Sequence, residues 1–176
     1  MFDMLPGHPS QSQLLALASV RSLTLGSRHF NWASAVYHNL VDLNVDGLLR
    51  EVCLTTEQMT LVLCSSLRLR RLRLRRLGIV QHEPHTLPNP IVLSELHELN
   101  LRSLYEGLCC IPPLMAVRPR LTSASIQFHS VEDEVPVRSC FRQSSVVTLH
   151  VKDLCREQPT QALQLLEHFL ASDTLT

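Results

Sequence analysis

One arrangement of apolar and polar positions recurs along this chain: apolar, two residues, apolar, one residue, apolar, two residues, leucine. It reads Leu40, Leu43, Val45, Leu48; then Leu69, Leu72, Leu74, Leu77; then Leu96, Leu99, Leu101, Leu104; and later Val146, Leu149, Val151, Leu154. A weaker first copy is Val20, Leu23, Leu25, with Arg28 in the last slot, and a degenerate copy is Leu121, Ala124, Ile126, with His129 last. The second apolar position of each copy falls at 23, 43, 72, 99, 124 and 149, so the steps are 20, 29, 27, 25 and 25 residues. In the middle of each phrase, apolar and other residues alternate with period two. That alternation gives one buried and one outward face, and predicts a short strand.

Between these strands the apolar period changes. Thr55-Thr56-Glu57-Gln58 is a capped helix start, continued by the stripe Met59, Val62, Leu63. Trp32, Ala35 and Val36 make a shorter stripe, and Pro159 to Ala171 predicts a helix with Ala162, Leu165, Leu166 and Phe169 on one side. A short helix is also expected around Arg138 to Gln143, and Cys109-Cys110 falls on another. Gln81 to Pro90, with Pro84, Pro88 and Pro90, reads as a loop, and Val131 to Val137 reads as a solvated turn. Strand–helix units of about 20–29 residues are the signature of leucine-rich repeats. One such unit cannot bury its own apolar face, so the units must stack, with parallel strands and right-handed crossovers. The expected fold is therefore an α/β, irregular leucine-rich-repeat solenoid of about six repeats. Parallel strands would line its concave face, with short helices and loops on the convex face. Residues 1–13 read as a flexible N-terminal segment and 14–176 as the repeat domain. Neither end carries a polar capping repeat, so both ends read as cut.

Composition narrows the class. Hydrophobic residues are 45% and aromatics 5%, so the core is built of leucine and valine in thin layers. Sixteen basic residues balance sixteen acidic ones, which removes the net positive field that general nucleic-acid or anionic-membrane attraction needs. No apolar run reaches the roughly 18 residues of a membrane span, and Met1 to Ser10 lacks the pattern of a signal peptide. The six cysteines, Cys53, Cys64, Cys109, Cys110, Cys140 and Cys155, form no regular framework. They read as reduced thiols of a cytoplasmic or nuclear protein.

Two segments carry a resemblance. The run Leu67-Arg68-Leu69-Arg70-Arg71-Leu72-Arg73-Leu74 and the phrase LPNPIVLSELHELNLRSL, residues 87–104, are similar to the repeats of F-box-like proteins of mushroom-forming fungi. The likeness extends from about Leu14 onward. In that family an F-box docks on a ubiquitin-ligase scaffold and the repeats select the substrate. The resemblance thus implies a substrate-recognition role for this chain. Here Leu5-Pro6 is followed by Gly7-His8-Pro9 in place of an amphipathic helix, and the repeats begin by Val20. Scaffold docking is therefore expected only if an F-box lies upstream.

The outward positions of the strands are the expected binding surface. They are Ser22, Thr24, Gly26; Asp42, Asn44, Asp46; Arg71, Arg73, Arg75; Glu98, Asn100, Arg102; Ser123, Ser125, Gln127; and Thr148, His150, Lys152. With the strands in register, Arg71 lies between Asp42 and Glu98, Arg75 between Asp46 and Arg102, and Arg73 between Asn44 and Asn100 without a carboxylate neighbour. Arg68, Arg70 and Arg76 are expected off this face. A self-satisfied charge ladder is the favoured reading. Beside it stands an arginine patch for an acidic or phosphorylated segment of a partner protein. The candidate contact residues are Asp42, Asn44, Asp46, Arg71, Arg73, Arg75, Glu98, Asn100, Arg102, His150 and Lys152.

Catalytic chemistry has no foothold in the sequence. His82, Glu83 and His85 lack a second ligand pair at fixed spacing, so a solvated loop outweighs a metal site. The five glycines, Gly7, Gly26, Gly47, Gly78 and Gly107, are too scattered for a phosphate loop. No nucleophile elbow, paired carboxylates or zinc-protease motif is present. The expectation is a binding protein with no enzyme activity, cofactor or metal. It is either the recognition repeats of an F-box-like adaptor, or a stand-alone repeat protein or truncated fragment without a ubiquitin role.

Overall fold

Each copy of the repeated phrase becomes one strand of a single parallel sheet. The computed structural model describes residues 19–27, 32, 34–47, 53–80, 90–102, 111–117, 121–128, 137 and 146–153. The six long strands are β1 (Ser22–Ser27), β2 (Asp42–Gly47), β4 (Arg71–Arg75), β7 (Glu98–Arg102), β9 (Ser123–Phe128) and β10 (Thr148–Asp153), hydrogen-bonded in that order. Every neighbouring pair is parallel, and the second apolar positions align: Leu23 with Leu43, Leu43 with Leu72, Leu72 with Leu99, Leu99 with Ala124, and Ala124 with Leu149. The spacing in the sequence thus dictates the register, because a slip of one residue would turn each apolar set outward.

The repetition extends to the backbone. At the start of each strand after β1, two consecutive amides donate to one carbonyl of the preceding unit. Val41 and Asp42 share Arg21 O, Arg70 and Arg71 share Val41 O, and His97 and Glu98 share Arg70 O. Thr122 and Ser123 share His97 O, and Val147 and Thr148 share Thr122 O. The same junction is therefore made five times in succession.

Two smaller parallel sheets were not expected. Strand β3 (Cys53–Thr55) pairs with β5 (Gly78–Val80), and β6 (Ile91–Leu93) pairs with β8 (Met115–Val117). Each strand is three residues long, too short to announce itself by periodicity. The helix α1 (Thr56–Ser65) begins as expected. Thr55 is the N-cap, its hydroxyl accepts from the Gln58 amide, and the Gln58 side chain accepts from the Thr55 amide. Met59, Val62 and Leu63 are buried as their stripe requires. The Trp32–Val36 stripe becomes a 3-10 turn at Ala35–Tyr37, with Trp32 stacked on Tyr37 at 5.6 Å between ring centres.

One apolar cluster joins these pieces. Leu40, Leu43, Val45, Leu69, Leu72, Leu74, Leu77, Leu96, Leu99 and Leu101 pack with Leu54, Met59, Leu63, Ile79, Leu93 and Leu114, all at most 1% exposed. Ser66 links two units from inside: its hydroxyl accepts from the Leu40 amide at 3.0 Å and donates to the Tyr37 carbonyl. Val137, expected in a solvated turn, is fully buried instead. It belongs to the apolar cluster although Glu132, Asp133 and Glu134 lie only a few residues before it. The expected helices at Pro159–Ala171, Arg138–Gln143 and Cys109-Cys110, and the proline loop up to Asn89, lie outside the described residues. Among the described residues no helix is long and apolar enough to cross a membrane.

Candidate functional site

The strand positions that alternate with the apolar ones align in register as three rows. The first runs Ser22, Asp42, Arg71, Glu98, Ser123, Thr148, and the second Thr24, Asn44, Arg73, Asn100, Ser125, His150. The third begins Gly26, Asp46, Arg75, Arg102 and ends with the pair Gln127 and Lys152. All eleven candidate contact residues therefore sit on strands of one sheet, in the order their spacing implied. His150 is exposed.

The charges concentrate on β2, β4 and β7, but they do not pair simply along the rows. Arg71 follows its row: Nε and Nη2 donate to the two oxygens of Asp42, the second at 2.7 Å. Arg73 was expected to lack a carboxylate and does not. It reaches diagonally to Glu98, with Nε and Nη2 at 2.7 and 2.9 Å from the two carboxylate oxygens. An arginine side chain spans the offset of one row, two residues along the strand, and the fork fits a carboxylate bidentately. Glu98 is thereby drawn away from Arg71, its row neighbour.

Asp46 also departs from the expected ladder. Its partner is Arg76, not Arg75, with Nε 2.7 Å from Oδ1. The cause is local. Arg76 follows β4 with a φ of 52°, so the backbone turns left-handed there and returns a side chain expected elsewhere toward this carboxylate. The Arg76 amide also donates to the Arg102 carbonyl at 3.1 Å, which holds the turn beside β7. Gly47 makes room for it, since a Cβ at that position would strike the Arg76 carbonyl and come within 2.9 Å of Leu77 Cδ2. Arg68 and Arg70 both engage Glu95, at 3.5 and 3.1 Å, as arginines outside the rows.

Among the described residues, two arginines of the rows have no carboxylate partner. Arg102 donates from Nε and Nη2 to the Ser125 hydroxyl at 3.0 and 2.8 Å. Arg75 has no ion pair among the described residues, and its Nε is buried without a hydrogen-bond partner. Two further atoms are in the same condition, Asn44 Oδ1 and Asn100 Oδ1. Asn100 is only 7% exposed although it occupies the polar side of β7, and Ser125 and Gln127 beside it are buried too.

The ion pairs leave their mark on acidity. The Arg71 fork holds the Asp42 carboxyl below its usual range against the opposing effect of burial. The Arg73 fork does the same for Glu98, with smaller Coulomb contributions from Arg73, Arg71 and Arg75. Hydrogen bonding from Arg70 lowers Glu95 likewise. Arg71 and Arg73 are held still more firmly in the charged state. Hence the Arg71–Asp42 and Arg73–Glu98 pairs stay ionised across the neutral range.

Among the described residues no three His, Cys, Asp or Glu side chains gather as a metal would require. His82, Glu83 and His85, and the Cys109-Cys110 pair, lie outside the described residues. Cys53 and Cys64 are exposed free thiols. No protein-family model, no curated protein and no solved structure matches this chain.

Proposed function

We propose that this chain is a protein-interaction module: an irregular leucine-rich-repeat solenoid that uses the polar face of its six-stranded sheet as the concave binding surface. One observation carries the reading. Six copies of one phrase form six parallel strands in a common register, and their outward positions build a broad surface of arginine, carboxylate and amide groups. Repeats of this kind make extended binding surfaces because each unit adds one strand to the same face. The chain has no enzymatic activity and no cofactor in this reading. The likeness of residues 67–74 and 87–104 to the repeats of F-box-like fungal proteins supports the narrower reading of substrate-recognition repeats of a ubiquitin-ligase adaptor, working in the cytoplasm or nucleus.

Affinity purification of the full chain, with wild type compared to Arg73→Ala and Arg102→Ala, tests this function. A protein partner captured by the wild type and lost from variants that remain folded supports the surface. Capture unchanged by both variants moves binding elsewhere. An in-frame F-box coding segment upstream of Met1 supports the adaptor role, and its absence alongside a reproducible partner favours a stand-alone interaction protein.

A further inference from the structure

The ion pairs on the polar face leave a particular remainder. Five guanidiniums, Arg71, Arg73, Arg75, Arg76 and Arg102, reach this face or its edge, against three carboxylates, Asp42, Asp46 and Glu98. Each carboxylate is already claimed, by Arg71, Arg76 and Arg73 respectively. The excess positive charge therefore falls on Arg75 and Arg102, which are direct neighbours in register on β4 and β7. Two adjacent like charges repel, and neither forms an ion pair among the described residues, although Arg75 lies beside Asp46 in register and within Coulomb reach of Glu98. Arg102 has only a neutral hydroxyl as acceptor. Arg75 has a buried Nε with no acceptor at all.

The adjoining row supplies the complementary deficiency. Asn44 and Asn100 flank Arg73, and each has a buried carbonyl oxygen without a donor. Buried polar atoms left unpaired are costly, and these three lie on adjacent strands β2, β4 and β7. A ligand that satisfies this set accepts from guanidiniums at one row and donates to amide oxygens at the next. A bare inorganic anion offers acceptors and little else. A peptide offers both, through a carboxylate side chain and its own backbone N–H groups.

We infer that Arg75 and Arg102, with Asn44 and Asn100, form a subsite for one acidic residue of an extended peptide segment of a partner protein. The side-chain carboxylate of that residue bridges the two guanidiniums, and the asparagine side chains turn outward on binding so that neighbouring peptide N–H groups donate to their oxygens. Arg71, Arg73 and Arg76 stay in their intramolecular pairs and hold the floor of the site in place. With strands about 4.8 Å apart, a peptide crossing all six spans about 24 Å, or about seven extended residues. This deepens the interaction role proposed above and rests on it.

Synthetic eight-residue peptides binding to the full-length chain, followed by fluorescence anisotropy, provide the test. One series carries a central glutamate in varied neutral contexts, a second has glutamine there, and a third has phosphoserine. The expected result is a preference for glutamate over glutamine that weakens with added salt. Arg75→Gln or Arg102→Gln should each cost about tenfold in affinity for the glutamate series, as befits loss of a charge-assisted hydrogen bond. The variant pair Arg68→Gln and Arg70→Gln, outside the rows, should leave it unchanged. Circular dichroism of every variant separates lost contacts from lost folding, and Arg75→Lys supplies a milder substitution that retains the charge without the fork. Glutamate peptides that bind folded Arg75→Gln and Arg102→Gln as well as wild type would overturn the subsite. Equal binding of glutamate and glutamine peptides, with the polar face protected in hydrogen exchange, would overturn it while sparing the interaction function. Tighter binding of phosphoserine than glutamate, lost with the same arginines, would replace carboxylate by phosphate as the group recognised. Failure of every peptide to bind would overturn both the subsite and the peptide-binding face.

Discussion

The inner strands β2, β4 and β7 and the outermost described strands, β1 and β10, share a phrase and a register but not an environment. On the apolar side, Leu43, Leu72 and Leu99 are at most 1% exposed, whereas Leu23, Leu25 and Leu149 are only half-buried. On the polar side, the inner strands carry bidentate arginine–carboxylate pairs, while β1 presents exposed Ser22, Thr24 and Gly26, and β10 presents exposed Thr148 and His150. The phrase therefore specifies geometry, and the neighbours specify energy. A strand flanked on both sides buries its leucines in a closed layer, and its charged residues find partners one strand away. An outer strand makes the same backbone ladder but shares its leucines with solvent.

The largest test of that difference is deletion of a leucine at the same position of the phrase. Leu72→Ala or Leu99→Ala should cost about 2–5 kcal/mol in chemical denaturation, because each leaves a cavity in a closed layer. Leu23→Ala should cost about half as much or less, since the lost burial is smaller. A cost under about 1 kcal/mol at Leu72 would show that the inner layer is not tightly packed.

Two glycines sharpen the comparison. Gly47 closes β2 against the Arg76 turn, and Gly26 on β1 has nothing within 4 Å of where a Cβ would stand. Gly47→Ala should destabilise by about 1–3 kcal/mol, because the obstacle is backbone and cannot rotate aside. Gly26→Ala should be close to neutral by the same measurement. Equal effects at both would mean the Arg76 turn yields freely.

The joint between an outer and an inner strand can be probed by alkali. Tyr37 lies in the turn between β1 and β2, and burial pushes its hydroxyl from 10.0 up to about 12. The neutral form is the one the fold prefers. Stability from this group is therefore full below pH 10 and lost as pH rises from about 10 to about 12. The loss should be on the order of 2 kcal/mol and should vanish in Tyr37→Phe. An alkaline loss of the same size in Tyr37→Phe would assign it to another group.

Much of this was legible in the sequence, for a simple reason. The second apolar positions at 23, 43, 72, 99, 124 and 149 fix all six strand centres, and period two fixes which side each residue takes. The Thr55–Gln58 capping box was legible because its four residues act locally. What escaped depends on conformations that spacing does not encode. The diagonal reach of Arg73 to Glu98 depends on side-chain length and rotamer. The return of Arg76 to Asp46 depends on one left-handed residue just past the strand, where the sequence offers arginine in place of the glycine that usually marks such a turn. Strands β3, β5, β6 and β8 are too short for any period to show. Asn100 reads as a surface position by alternation, yet it is buried on the polar side.

The smallest effect tests whether the inner charge pairs contribute to stability or only orient the face. Arg73 and Glu98 form a fork on adjacent inner strands, with side chains 37% and 27% exposed. At that exposure solvent screens much of the attraction, so a double-mutant cycle with Arg73→Gln and Glu98→Gln should give a coupling of about 0.5–1 kcal/mol. The sign of its pH dependence follows from the depressed acidity of Glu98. A carboxylate whose folded pKa lies below its ordinary value of 4.5 favours folding above that value, and the contribution disappears as pH falls through the lower folded pKa. Asp42 adds the same trend from an ordinary value of 3.8. Denaturation measured from about pH 6 to about pH 2 should therefore show coupling that is constant at first and lost below about pH 4. The Glu98→Gln variant should have the flatter acid limb, and Glu95→Gln, whose carboxylate pairs with arginines outside the rows, should change that limb less. A coupling near zero at neutral pH would mean that the fork orients Arg73 on the face without stabilising the sheet. An acid limb unchanged in Glu98→Gln would shift the acid sensitivity to other carboxylates, beginning with Asp42.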